Sequence, residues 1–175
     1  SCLMGSEMCI RDSTAVEEIA YANEIGLKVV VTDHHECKDD LPDAVAVVNP
    51  KRTDSTYPFK DLAGVGVVFK LVCALEGPEN LEQVVTTYLD LVAVGTIADV
   101  MRLQGENRVI VTYGLLLLQQ TDNPGLRMLM REAGVETRRM TASVVSFTLA
   151  PRINAAGRMG CADEAAQLFL TDSPS

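Results

Sequence analysis

The hydrophobic positions of this 175-residue chain follow two rhythms. In TAVEEIAYANEIG (14–26), Ile19, Ala20 and Ile25 recur at helical spacing, and Thr14 with Glu17 three residues on forms a capping box. A short amphipathic helix is expected there, with Gly26 as its C-cap. LKVVVTD (27–33) then runs almost continuously apolar and β-branched, the pattern of a parallel strand covered on both faces. AVAVVNP (44–50) is a second such run, stopped by Asn49 and Pro50, and KRTDSTYPFKD (51–61) reads as a polar surface loop. Helical patterns follow in LAGVGVVFKLVCALEG (62–77), NLEQVVTTYLDLVAVG (80–95), NRVIVTYGLLLLQQ (107–120), PGLRMLMREAG (124–134) and ADEAAQLFLTD (162–172). TIADV (96–100) reads as a short strand or turn, and 141–160 ends in a polar, glycine-containing stretch.

Strands alternating with helices imply an α/β domain with a parallel sheet, grading into helices toward the C-terminus. In such sheets ligands bind at the carboxyl ends of strands, where Asp33, His34 and His35 fall. Gly64 and Gly66 lack the third glycine of a dinucleotide fingerprint and are read as helix packing.

Composition narrows this picture. Hydrophobic residues make up 47% and charged residues 22% of the chain, ordinary for a globular domain. No apolar run approaches the ~20 residues that cross a bilayer, so no membrane role is expected. A net charge of −9 argues against a uniformly basic nucleic-acid-binding face, while leaving room for a nuclease with a local basic groove and metal ions. The five cysteines form no C-x-x-C pair, so neither a zinc site nor a disulfide framework is expected, and a reducing cytoplasm is the simplest location.

The opening SCLMGSEMCIRDS matches no signal peptide. Residues Gly5 to Ser13 coincide with the translation of a transposon-end adapter common in sequencing libraries. Residues 1–13 are therefore expected to be an assembly artefact and are excluded from fold reasoning, leaving 14–175 as a partial domain.

Three places could carry chemistry. Both histidines of the chain, His34 and His35, stand directly behind Asp33. Imidazoles beside a carboxylate at a strand end suit a metal or phosphate site, and such donors favour Mn²⁺ or Mg²⁺ over thiolate-loving ions. The same three residues also fit a polar turn in which a histidine caps the next helix. Asp99 is a lone carboxylate on an apolar element, costly to bury unless paired or metal-bound, or alternatively a helix N-cap near Val100. Arg152 and Arg158 flank Asn154 and could grip phosphate oxygens, or could cap helix carbonyls from a surface loop. No serine or cysteine has a histidine at nucleophile spacing.

VTDHHE, AVVNPKRTDSTYPFKDLAGVGVVFKL, YLDLVAVGTIADV, ENRVIVTYGLLLL and LAPRINAAGRMG, in that order, resemble the RecJ family, single-stranded-DNA-specific exonucleases of the DHH phosphoesterase superfamily. The resemblance runs from Thr14 to about Asp172. It implies a Rossmann-like DHH phosphoesterase domain, N-terminally truncated here, with a helical C-terminal part. The implied activity is 5′ to 3′ hydrolysis of single-stranded DNA by two Mn²⁺ or Mg²⁺ ions, in repair and recombination, by a monomer that also meets replication or repair proteins. It further implies that His34 is a metal ligand and Asp99 a carboxylate on the same ion. His35 would contact the scissile phosphate or support a metal, Asp33 would orient the ligands, and Arg152, Asn154 and Arg158 would meet substrate.

The chain departs from the family in lacking an upstream D-x-D motif, a D-x-G-I turn and a C-terminal substrate domain. The D-x-G-I aspartate would fall near Ile10, and Asp12 is out of register for it. The two-metal site is thus expected to be incomplete and the fragment inactive. Alternative readings are a phosphodiesterase of the same superfamily acting on short oligonucleotides or cyclic dinucleotides, a manganese pyrophosphatase, and a non-catalytic replication scaffold. PRINAAGRM speaks against the enzymes, and retention of Asp33, His34, His35 and Asp99 against the scaffold.

Overall fold

The computed structural model describes residues 3–4, 7–10, 15–37, 41–158 and 162–171, with the side chains of 3–10, 157, 158, 162 and 164 left aside. The chain divides into two compact units, Ser1–Leu75 and Glu76–Ser175.

The first unit is the sheet unit. Strands β1 (Leu3–Met4), β2 (Glu7–Ile10), β3 (Lys28–Thr32) and β4 (Ala46–Val48) lie in the order β1-β2-β3-β4, with β1 antiparallel and the other pairs parallel. Helix α1 (Val16–Glu24) connects β2 to β3. Its Ile19 and Ala22 pack on Val29 and Val31 of β3, and all four are buried. The β-branched run forms the parallel strand its pattern implies, with the Val29 and Val31 face buried and Val30 on the other face only half-buried. Helix α2 (Gly64–Glu76) closes the unit, and a side chain at Gly66 would press on Leu62, so the small residue serves packing.

Two expectations change here. Residues 7–10, excluded from fold reasoning as part of an adapter-like segment, pair in parallel with β3 and complete a βαβ unit. An extended segment beside β3 satisfies backbone groups that an open edge would leave unpaired, whatever its origin. Helix α1 begins at Val16 with Ala15 as N-cap and no side-chain cap bond, and the capping residue Thr14 lies outside the described residues. At its other end Ile25 is the C-cap and Gly26, at φ 80°, the next residue.

The second unit is helical. After a 3-10 turn (Pro78–Asn80) come α3 (Leu81–Ala98), α4 (Gly105–Leu118) and α5 (Pro124–Glu132). The chain then passes through α6 (Ala142–Val144), a π turn (Val145–Leu149), α7 (Ala150–Arg158) and α8 (Ala162–Leu170). Leu118, Leu126, Val135, Val145 and Leu149 centre its core. Asn123 caps α5 through a bond from the Leu126 N–H, and Pro124 stands at the first turn, where its missing N–H costs nothing.

TIADV is not a strand: Thr96–Ala98 form the last turn of α3, and Asp99 and Val100 make the turn that follows, with Asp99 the helix C-cap and not an N-cap. Thr96 stays helical by bonding its hydroxyl to Val92 O at 2.7 Å. Residues 142–158 are helical, so the polar stretch carrying Arg152 and Asn154 lies on a helix and not on the surface loop weighed as an alternative. The π turn sits directly before Pro151, where a regular ladder would be missing an N–H.

Pro78–Ala98, at 21 residues and mean hydropathy 1.2, is long and apolar enough to cross a membrane, correcting the reading that no stretch approaches that length. In this structure it is a core helix. Its buried Asp90 accepts a hydrogen bond from Thr121, a pairing that suits a packed interior.

Candidate metal and phosphate site

The site of the first unit begins where β3 ends. The Asp33 N–H donates to Val48 O at 3.0 Å, extending the β3–β4 ladder by one bond and placing residue 33 at the carboxyl edge of the sheet. Its carboxylate is fully buried, and Oδ1 accepts the backbone N–H groups of His34 (2.7 Å) and His35 (3.1 Å). The same oxygen lies 2.7 Å from His35 Nδ1.

A carboxylate only accepts, so Nδ1 of His35 carries a proton, and in the neutral ring Nε2 then keeps its lone pair. The His35 side chain is 70% exposed, so this basic nitrogen is available to solvent or ligand. The two imidazoles lie together, with ring centroids 4.3 Å apart and planes inclined at 46°. A buried carboxylate that fixes an imidazole tautomer is the arrangement by which metal-ligating histidines are oriented.

A second strand end braces this turn. Asn49, buried after β4, donates Nδ2 to His35 O (2.9 Å) and to Cys37 Sγ (3.0 Å), while its Oδ1 accepts the Lys51 N–H (2.9 Å). Lys51 Nζ meets Glu36 Oε1 at 2.9 Å. Arg52 donates to Val47 O and to both carboxylate oxygens of Asp54. That bond from Arg52 holds the Asp54 carboxyl below its ordinary range and raises the Arg52 guanidinium, with desolvation opposing both shifts. Beside this brace a cavity of about 650 Å³ is lined by Asn49, Arg52, Tyr57, Leu62 and Lys70 among others.

In the second unit Asp99 is exposed at the C-terminal end of α3, its N–H bonded to Gly95 O at 3.0 Å. No basic residue stands in the last turn of α3, so the carboxylate adds to the negative end of the helix dipole. Its neighbours Ala98 and Val100 line a cavity of about 440 Å³ together with Asn154 and Pro151. Arg152 is exposed and donates Nη1 to Thr148 O at 2.7 Å, the carbonyl-capping role, although on a helix and not in a loop. The Arg158 side chain lies outside the described residues.

The structure thus brings Asp33, His34 and His35 into one turn and places Asn154 beside the end of α3 that carries Asp99. Among the described residues, no three His, Cys, Asp or Glu side chains are grouped to hold a metal ion. Sequence reasoning missed Asn49, whose signal was a polar residue directly after a buried apolar run, and Val100, whose left-handed backbone no side-chain chemistry announces.

Fold and site together define an α/β domain, its sheet parallel except for β1, with a carboxylate-held imidazole beside a second imidazole at a strand's carboxyl edge. The chain belongs to the DHH family: the profile of the DHH family, N-terminal domain, matches residues 9–96. It is 48% identical over 160 residues to the single-stranded-DNA-specific exonuclease RecJ of Bacillus subtilis, covering 90% of this chain and 20% of that protein. To the Escherichia coli protein of the same name it is 37% identical over 170 residues, covering 89% of this chain and 29% of that one. The chain therefore spans a minor part of these relatives.

The fold is also similar to a crystal structure of exonuclease RecJ bound to manganese. The TM-score is 0.83 and identity 38%, over 97% of this chain and 43% of that one. It is similar as well to RecJ from Thermus thermophilus in complex with Mn²⁺. There the TM-score is 0.80 and identity 36%, over 97% of this chain and 25% of that one.

Proposed function

We propose that this chain is the DHH part of a divalent-metal phosphodiesterase that degrades single-stranded DNA from the 5′ end in repair and recombination, in the cytoplasm. The observation that carries the reading is the Asp33–His35 pair. A fully buried carboxylate holds Nδ1 of an imidazole whose side chain is 70% exposed and which lies beside a second imidazole. The likeness to RecJ exonucleases supplies the substrate class.

His34 and Asp99 are the proposed metal ligands, His35 contacts the scissile phosphate or supports a metal, and Asp33 orients them. Imidazole and carboxylate donors fit Mn²⁺ or Mg²⁺. A bound divalent ion supplies an activated water and neutralises charge on the phosphodiester. The ligand number within the described residues falls short of a closed site, so the remaining carboxylates are proposed to come from the full-length protein outside residues 14–175. Asn154 and the arginines Arg152 and Arg158 are proposed substrate contacts, with Arg152 leaving its bond to Thr148 O to do so. Residues 1–13 are proposed to be adapter-derived.

Genomic sequence upstream of Thr14 tests this reading: it should restore a D-x-G-I turn and an earlier D-x-D, and their absence would refute the catalytic assignment. With that sequence restored, the full-length protein should shorten 5′-labelled single-stranded DNA in Mn²⁺, while residues 14–175 alone should not.

A further inference from the structure

Three helices of this chain end in the same way. At the end of α1, Gly26 has φ 80°, its N–H bonds Asn23 O at 3.0 Å, and the Leu27 N–H reaches back to Ala22 O at 2.9 Å. At the end of α5, Gly134 has φ 66°, with the same pair of bonds to Arg131 O and, from Val135, to Met130 O, both 2.9 Å. At the end of α3 the pattern recurs, from the Val100 N–H to Ile97 O at 3.0 Å and from the Met101 N–H to Thr96 O at 3.3 Å. This paired closure requires a left-handed residue just beyond the helix, where glycine is the default.

Gly26 and Gly134 have open space where a Cβ would stand, so glycine is present at those ends for its backbone freedom and not for lack of room. The third position carries a β-branched residue at φ 55°, the one non-glycine with positive φ among the described residues. A β-branched side chain is a poor choice for this region, and such strain persists where surroundings or function hold it. Burial does not explain it, because Val100 is 85% exposed.

A second observation places the strain beside a functional candidate. Asp99, the residue before Val100, puts a carboxylate at the negative end of an 18-residue helix with no basic residue in its last turn. Electrostatically that is the wrong end for an acid and the right end for a cation. Val100 also lines the 440 Å³ cavity with Asn154.

We propose that Val100 is a positioning residue whose restricted left-handed backbone fixes the direction in which α3 delivers the Asp99 carboxylate. The proposal rests on the reading of Asp99 as a metal ligand. Glycine at this position would relieve the strain but open further backbone wells, letting the 99–101 segment leave the ligating geometry. Isoleucine would preserve the restriction.

The test uses the 175-residue chain, its V100G, V100I and D99N variants, and Mn²⁺ as probe. V100G should melt about 2–4 °C higher than the unaltered chain. Its amides at Asp99 and Met101 should nonetheless exchange faster, and its Mn²⁺ affinity should fall about tenfold, within the range for lost ligand orientation. V100I should match the unaltered chain in Mn²⁺ affinity. A lower melting temperature for V100G, unchanged exchange at Asp99, or unchanged Mn²⁺ affinity would each overturn the proposal. D99N separates the two levels: if it weakens Mn²⁺ binding while V100G does not, positioning fails and the ligand reading stands. If D99N has no effect, or the unaltered chain binds no Mn²⁺, the ligand reading fails and the positioning role fails with it.

Discussion

Asp33 and His35 form a closed carboxylate–imidazole pair, Oδ1 to Nδ1 at 2.7 Å, and the oxygen that makes it also accepts the N–H groups of residues 34 and 35. One atom therefore shapes the backbone of the turn and sets the tautomer of the ring that emerges from it. The turn cannot relax without disturbing the imidazole.

Replacing Asp33 separates these roles. Asp33→Asn keeps the side-chain volume and one carbonyl acceptor for the backbone but loses the charge that favours the Nδ1–H tautomer. The variant should remain folded while nitrogen NMR of His35 shows a mixed tautomer. Asp33→Ala should instead unfold earlier in urea, by roughly 1–3 kcal/mol, because buried donors lose their acceptor. Equal stability of Asp33→Ala and the unaltered chain would show that the carboxylate does not hold the turn.

Asn49 makes a second prediction. Asn49→Asp retains the acceptor for the Lys51 N–H but turns an acceptor toward His35 O and Cys37 Sγ, where Asn49 Nδ2 now donates. Loss of those bonds should destabilise the chain by roughly 1–3 kcal/mol in urea unfolding and broaden the His35 resonances. Unchanged His35 resonances would mean the brace does not reach the histidine turn.

The Arg52–Asp54 pair predicts a pH dependence. Its hydrogen bond lowers the Asp54 carboxyl from the ordinary value of 3.8, so the pair stabilises the fold above that value and the gain is lost as pH falls through the lowered one. Asp54→Asn should thus unfold more readily than the unaltered chain at about pH 6, with the difference shrinking as pH falls below the ordinary carboxylate range. Asp54 is largely solvent-exposed and Arg52 half-buried, so added salt should shrink the difference. A gap that widens toward acid would reverse the assignment.

Much of the fold was legible because its signals are local. The continuous β-branched run at 29–32 reads as a strand, and Pro124 announces the start of α5. The end of α3 was not legible, since the Gly95–Thr96 pair resembles a helix stop. Only the structure shows Thr96 bonding back to Val92 O and the helix running on to Ala98. The π turn before Pro151 was hidden for the opposite reason, because a proline beside arginine and asparagine reads as a loop while tertiary packing keeps Val145 and Leu149 buried in a helix. In the site, Asp33, His34 and His35 were visible as residue types at a strand end. The brace from Asn49 was not, because it joins positions 14 residues apart through two adjacent strand ends.

Mn²⁺ titration of the chain, followed by the loss of the free-ion paramagnetic resonance signal, tests the central claim most directly when the unaltered chain is compared with His34→Ala. The metal-site reading predicts measurable weak binding by the unaltered chain and a drop of about tenfold or more on removing the imidazole. Equal affinity in the two proteins, at equal thermal stability, would contradict it.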